Sequence, residues 1–585
     1  MSRITGETQS VFNFIGEDNR GFLVPEYQRP YSWTEKECEQ LWDDLLNHAI
    51  PDGNLEKWDA NSPEYFLGPV VLYLDKDTGR RAIIDGQQRI TTLLLLLRAF
   101  YNRLQNGRDE ETSDMRRDIE KCFWRINEMR RVVRGEMKLL SRVATDDKIR
   151  EFEAIINDGE APAKSRSAYA VNYRFFCDRI RATFDGECPP CPSHYFFSLV
   201  SRILGHCALL PIVTEGRDSA LQVFTTLNDR GLPLSDSDIF KSVLYQIFDE
   251  DGKAKEYFLP RWRDLEDSCE TAFPRARQSP VNEIFIQAMQ CRRGRMGITD
   301  TTTRGVRDFF ERDGYAAFND KQFMEKLVGL SLFWRNMAEQ KPDAFSEQAL
   351  RRLFVLSYAP NVMWTYLASA WFVEHGDMAD GSVSDQRSFE LFLRKITAFI
   401  LAYTITTPGT NQLRLPVYPE LVKIARGEQC DFSGYLFDAD KLSLAIKSFS
   451  FTNSRPITRA MLAWWLMHDA EQPLPPQGEK FHIEHIYSVR RNEMHPLSDF
   501  DLVDAIGNKS FLEGRINIQA SAFTIPDKRH YYNGENCGGR KTCVRELLKI
   551  ADQPDFGEAE IRARTRTMRE AFIKELEELG LLAEK

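Results

Sequence analysis

The sequence has no apolar run long enough to cross a bilayer. Its densest, Leu93 to Leu97, falls far short of the roughly 20 residues a spanning helix needs, so no membrane partner is expected. Cysteine is sparse, at 11 in 585 residues, and an odd number cannot all pair within one chain. Reduced thiols in a cytosolic compartment are the simplest reading. The start, Met1-Ser-Arg-Ile-Thr-Gly-Glu, lacks an apolar segment after a basic residue, so a cytoplasmic rather than a secreted protein is expected. No repeat of fixed period is visible, and composition excludes collagen-like and low-complexity classes. Positive charge is also in deficit: 77 Lys and Arg stand against 87 Asp and Glu, a net charge of −10. That balance argues against a polyanionic partner, because phosphate binding wants clustered Lys and Arg. A binding face is local, however, and a whole-chain sum does not decide it.

What is present is ordinary globular composition, 42% hydrophobic and 12% aromatic, over a length that suggests two to four domains. Phe22 to Pro25 reads as a short extended run. Ser32-Trp-Thr34 offers N-caps for a helix over about 35–47, with Cys38, Leu41, Trp42 and Leu45 on one face. Tyr65 to Leu74 and Arg81 to Ile84 flank the turn Asp75-Lys-Asp-Thr-Gly79 and predict a hairpin. Ile90 to Arg98 is apolar on all sides, as in a helix buried in a core. Residues 115–180 read as helical and rich in both charge signs, Ala208 to Val213 as a strand, and 246–440 as mostly helical. A Pro-rich break, Glu471 to Lys480, precedes the strand-like Phe481 to Ile486, and a charged helix is expected over about 558–579. Cys188-Pro-Pro-Cys191 with His194, His206 and Cys207, and later Cys537 and Cys543, are read as free thiols, since neither set completes a zinc spacing.

Two constellations carry chemistry. The first is Ile83-Ile84-Asp85-Gly86-Gln87-Gln88-Arg89, a strand, a tight turn and a helix start. Free amides and the positive dipole end of such a helix suit phosphate, Arg89 adds a fork, and Asp85 is suited to hold a metal or polarise a water. The plain alternative is an ordinary strand–turn–helix with Asp85 as N-cap. The second is Phe481-His482-Ile483-Glu484-His485-Ile486, an adjacent carboxylate and imidazole of the kind used in metal-assisted phosphodiester hydrolysis. Alternation puts His482 and Glu484 on one strand face and His485 on the other.

Three stretches in order resemble the DUF262 family, the module of GmrSD-type, modification-dependent restriction enzymes. They are Tyr27-Gln28-Arg29-Pro30-Tyr31-Ser-Trp33, then Asp85-Gly86-Gln87-Gln88-Arg89-Ile-Thr-Thr, then Phe224 to Lys241 with Asn228, Arg230, Gly231 and Asp238. The resemblance covers about residues 10–245. It implies a ParB/sulfiredoxin-like α+β domain that binds, and in some members hydrolyses, a nucleoside triphosphate, so an associated NTPase activity is expected, with Asp85, Gly86, Gln87, Gln88 and Arg89 forming the site. Gln28, Arg29 and Tyr31 would line it, and Asn228, Arg230, Asp238 and Lys241 would belong to the second stretch. For Gln28 to Trp33 a purely structural role stays open.

Farther on, Ile506-Gly507-Asn508, Arg515-Ile-Asn517, Phe523 and Lys528 continue a pattern that looks like the HNH (ββα-metal) nuclease motif in its DUF1524 form, over about 445–585. The resemblance implies Glu484 and Asn517 as Mg²⁺ ligands, His485 as general base, and Asn508 bracing the loop and orienting His485. His482 would stand behind the ligands. Lys528, with Arg515, Arg529 or His530, would contact DNA phosphate. Lys509 replaces the usual Leu, and Tyr487-Ser488 replaces the usual apolar residue and Pro, so the loop beside His485 is where departures concentrate.

Basic stretches at Arg116 to Lys138, Arg292 to Arg295 and Arg562 to Arg566 are candidate phosphate faces or simply solvated helix faces. The expectation is a predominantly helical α+β protein with three regions. Residues 1–245 form the nucleotide-binding module, 246–444 a helical connector transmitting nucleotide state, and 445–585 the nuclease. The function expected is an NTP-regulated, Mg²⁺-dependent endonuclease of anti-phage defence, acting on modified double-stranded DNA, with homo-oligomerisation left open. A phosphorothioate-sensing nickase and a non-cleaving nucleotide-dependent DNA-binding regulator are the alternatives.

Overall fold

A computed structural model describes residues 7–584 except 60–62, 106, 144–145, 185–193, 217–218, 221–222, 224–234, 277–278, 321, 408, 521–523 and 536–537. The chain divides into two compact units, Met1–Ala254 and Lys255–Lys585. It is mixed α and β, and predominantly helical. Among the described residues no helix is long and apolar enough to cross a membrane.

In the first unit, short apolar runs bounded by turns become a six-stranded mixed sheet. Its strands are β1 (Gln9–Ser10), β2 (Phe22–Val24), β3 (Tyr65–Leu74), β4 (Arg81–Asp85), β7 (Leu139–Ser141) and β8 (Cys207–Thr214), in the order β1-β8-β3-β4-β2-β7. β3 and β4 form the expected antiparallel hairpin, while β3 with β8, and β2 with both β4 and β7, run parallel. Helix α1 (Glu35–Ala49) begins at Thr34 with a capping box: the Thr34 hydroxyl accepts from Lys36 N, and Glu37 accepts from Thr34 N at 2.7 Å. Cys38, Leu41, Trp42 and Leu45 are buried, as the spacing requires. Helix α2 (Gln87–Leu104) leaves β4 through Gly86 at φ +95°, where a side chain would meet Val70 at 3.0 Å. Leu93 to Leu97 are all buried, which is why that run is apolar on every side.

One expectation fails here. Residues 115–180 are not helical throughout, because β5 (Trp124–Ile126), β6 (Val132–Met137) and β7 interrupt them. β5 and β6 form a two-stranded ribbon with an exposed face carrying Arg134 and Glu136, so no apolar alternation marks it. Several cations of this stretch pair with carboxylates at the surface. Arg117 pairs with Asp114, Lys121 with Glu17 and Asp118, Arg125 with Glu136, and Arg134 with Glu120.

In the second unit, the helices of the 255–444 stretch pack directly on the 445–585 region. Glu575, on the Glu558–Glu578 helix, is 4% exposed; its Oε1 accepts from Arg394 Nε at 2.7 Å and its Oε2 from Trp464 Nε1 at 2.5 Å. Arg351, itself buried, donates to the main-chain oxygens of Met467 at 3.0 Å, Asp469 at 2.6 Å and Gln472. These contacts hold the far ribbon's support in place. That ribbon is β9 (Phe481–His485) against β10 (Lys509–Glu513), antiparallel with Glu484 opposite Ser510 and His485 opposite Lys509.

Removing the Glu575 carboxylate leaves the Trp464 indole without its acceptor and Arg394 with Glu578 alone. Glu575→Ala is expected to lower stability by about 2–4 kcal/mol, read as a lower urea midpoint by tryptophan fluorescence. An unchanged midpoint would show that the helical stretch is not anchored through this residue.

Candidate active site

The β9–β10 ribbon and the two helices that follow it build a closed carboxylate site. β10 runs straight into the Gly514–Ala520 helix, which carries Asn517, and the Ile525–Tyr532 helix brings Lys528 and Tyr532. Glu484 points between them and is 4% exposed. Its Oε1 accepts from Lys528 Nζ at 2.5 Å and from Tyr532 OH at 2.8 Å. Its Oε2 faces Asn517 Nδ2 at 3.3 Å. Tyr532 is fully buried, and burial together with the Glu484 charge pushes its hydroxyl well above the ordinary phenol range, so it stays a donor.

The next residue turns the other way. His485 lies beside Asp504, with Nε2 3.9 Å from Oδ1, and Asp504 is held by Lys509 Nζ at 2.7 Å. Burial, and the Lys509 ammonium next to it, push the imidazole down to about 4, against a smaller opposing effect of Asp504. At neutral pH the ring is therefore a free base. Asn508 is fully buried and braces the turn after His485: its Oδ1 accepts from Tyr487 N at 2.7 Å, and its Nδ2 donates to Tyr487 O and Val503 O, each at 3.0 Å. It does not touch the ring of His485; Asp504 is the side chain beside it. Gly507 lies against the Glu558–Glu578 helix, where a side chain would come within 2.4 Å of Ile561 O. Arg564 ties that helix to the same turn by donating to Gly507 O at 3.0 Å and Lys509 O at 2.7 Å.

These side chains suit a hard divalent cation. Oε2 of Glu484 and, after a half-turn of its amide, Oδ1 of Asn517 offer two oxygens to one space, and Mg²⁺ takes few protein ligands and keeps several waters. Among the described residues no group of three or more His, Cys, Asp or Glu is placed for a ligand-rich metal site.

The residues expected at DNA phosphate divide. Lys528 is fully buried and committed to Glu484, so it does not reach a phosphate. Arg529 donates to Ala551 O at 2.5 Å and Gln553 O at 3.3 Å, closing the end of the Arg545–Ala551 helix. Arg515 is exposed on the Gly514–Ala520 helix. In the two other basic clusters Arg293 and Arg564 are buried, Arg295 pairs with Glu374, and Arg562 with Glu558.

In the first unit the predicted nucleotide residues converge, but largely on one another. Gln28 donates to Ile84 O at 3.1 Å, Gln87 to Arg29 O at 3.1 Å and Gln88 to Pro30 O at 3.0 Å, while Gln88 Oε1 accepts from Ser32 N at 2.8 Å. The Tyr31 hydroxyl lies 2.7 Å from Thr92 Oγ1 and accepts from Asn172 at 2.9 Å. Arg89, expected as a phosphate fork, donates to Pro69 O at 3.0 Å. Burial raises the Asp85 carboxyl, opposed by Arg89 and Arg29. The cleft between Arg29, Tyr31, Gln87, Gln88, Ser141, Asp146 and Tyr169 has about 10 Å³ of free volume, the lower limit for one water. Lys241 is buried on the Asp236–Glu250 helix, whose Tyr245 OH donates to Glu26 at 3.2 Å. Asn228 and Arg230, like Cys188, Cys191, Phe523 and Cys537, lie outside the described residues.

The architecture is thus that of a two-unit protein with a carboxylate–histidine centre on a β-ribbon in the second unit. The family described as GmrSD restriction endonuclease, N-terminal domain, matches residues 11–245, and that described as GmrSD restriction endonucleases, C-terminal domain, matches residues 438–571. The chain belongs to the GmrSD restriction endonucleases. A comparison with curated proteins gave no match.

Asp504, Tyr532 and the pairing role of Lys509 escaped the sequence reading. Lys509 did stand out as a charged residue at an apolar motif position, and the ribbon sets it opposite His485. Nothing local pointed to Tyr532.

The low His485 value has a consequence for the metal-free protein. An unfolded imidazole protonates near ~6.5 and the folded one near about 4, so between these pH values the unfolded state binds more protons. Stability is expected to fall as pH drops through that window, and to be indifferent to His485 above it. His485→Gln should flatten the slope in urea titrations between these limits; an unchanged slope would contradict the buried neutral imidazole.

Proposed function

We propose that this restriction endonuclease cuts or nicks modified double-stranded DNA at the Glu484–His485 centre, with Mg²⁺ or a similar cation and under nucleoside triphosphate control. The observation that carries the reading is the pairing on one short strand of a buried carboxylate facing Asn517 with a neutral histidine. In this reading His485 takes the proton from the attacking water, and its depressed basicity keeps it unprotonated and available at neutral pH. Glu484 and Asn517 would hold the cation, which would supply neutralisation of the charge gathering on phosphorus and on the leaving oxygen. Asn508 fixes the turn that carries His485, and Asp504 sets the ring's surroundings. Arg515 is the exposed cation nearest in sequence to Asn517 and is assigned to the DNA backbone.

Nucleotide control is supported by the Asp85 to Arg89 motif and its family resemblance. Recognition of a modification likewise rests on the family.

The test is to incubate the protein with unmodified, hydroxymethylated, glucosylated and phosphorothioated DNA, with and without each NTP, and to look for nicks. His485→Ala is expected to lower cleavage by about 10²–10⁴-fold while leaving nucleotide turnover in place. Asp85→Ala is expected to impair turnover or its regulation. Cleavage by His485→Ala equal to wild type would overturn the assignment. Nicking of unmodified DNA only when phosphorothioated DNA is also present would favour the phosphorothioate-sensing alternative, and binding of DNA with no cleavage of any substrate would favour the regulator.

A further inference from the structure

Lys528 belongs to the nuclease motif, yet it faces away from solvent. Its ammonium meets three acceptors, Glu484 Oε1 at 2.5 Å, His485 O at 2.8 Å and Ile486 O at 3.3 Å, which match its three hydrogens. Tyr532 lies one turn on along the same helix face and donates to the same Oε1 at 2.8 Å. Both side chains are fully buried. One oxygen of Glu484 is thereby fully occupied, and the other faces Asn517. An ionised carboxylate this deep is sustained only by a partner charge, since burial penalises an unpaired ion heavily.

We propose that Lys528 is the resident counter-cation of Glu484: it balances the buried carboxylate before any metal is bound, and fixes Oε1 so that Oε2 alone is presented beside Asn517. The inference rests on the metal-binding reading given above. Lys528 acts through Glu484 and is a positioning residue. Its grip on the His485 and Ile486 carbonyls also sets the Ile525–Tyr532 helix against the strand end that carries the base. The same ammonium repels a divalent ion at the carboxylate, so geometry is fixed at the expense of resting metal affinity.

The test compares melting of the full-length wild type, Lys528→Met, Tyr532→Phe, Glu484→Gln and the Glu484→Gln/Lys528→Met double variant, each in EDTA and over a Mn²⁺ series, with nicking measured alongside. Lys528→Met is expected to melt lower than wild type without metal, and to gain more in melting temperature from Mn²⁺, because the ion replaces the missing charge. Tyr532→Phe keeps the ammonium, so its Mn²⁺ gain should match wild type. The double variant should recover metal-free melting and lose the Mn²⁺ response, since both charges are gone. If Lys528→Met fails to fold, recovery of a folded protein in the double variant reads the same effect. A Mn²⁺ gain in Lys528→Met equal to that of a wild type that responds, or a double variant as unstable as Lys528→Met, would overturn the counter-cation role alone. No Mn²⁺ response in any chain, with metal-independent nicking, would overturn the metal reading and this one with it.

Discussion

A carboxylate taken out of water has to be paired, and the second unit is organised around that constraint at Glu484. The strand presents it, the Gly514–Ala520 helix supplies Asn517, and the Ile525–Tyr532 helix supplies Lys528 and Tyr532. If the ribbon shifted by one residue, Glu484 would move to the other face, where Asp504 lies, and a second carboxylate would meet it there. The interaction therefore sets the register of the ribbon as well as the chemistry of the site.

The same ribbon has two electrostatic faces. On one, Lys528 and Tyr532 both donate to the Glu484 carboxylate; on the other, burial and Lys509 keep an imidazole neutral. The supports reach far along the chain. Arg564 grips the turn at Gly507 and Lys509, and Glu575, about three turns along the same helix, is anchored by Arg394 and Trp464. The 255–444 helices consequently contribute to the stiffness of the site's base and are part of its unit.

Much of this was legible in the sequence because the signals were local. Thr34 and Glu37 at capping spacing, the turn between β3 and β4, the five-leucine core of α2 and the adjacency of Glu484 and His485 all lie within a few residues of one another. What escaped depended on partners distant in sequence. Lys528 reads as a phosphate ligand until the fold sets it 44 residues from Glu484 in sequence and 2.5 Å away in space. Gln28 and the two glutamines of the Asp85–Arg89 motif read as ligand groups, yet all three donate to main-chain oxygens of the segment each faces. The strands at 124–141 were hidden because an exposed ribbon needs no apolar alternation, and its arginines find carboxylates in the helices around it.

The net charge of −10 takes on a different meaning beside this geometry. Several clustered arginines are already paired or buried, so in the proposed reading DNA affinity comes from few exposed cations such as Arg515 and from a cation that Glu484 and Asn517 would hold. The most direct measurement of that claim is anomalous scattering from crystals soaked in Mn²⁺. The account predicts a peak beside Glu484 Oε2 and Asn517, with Lys528 still on Oε1. A peak elsewhere with none at Glu484, or Mn²⁺-saturated crystals with no peak at all, would contradict it.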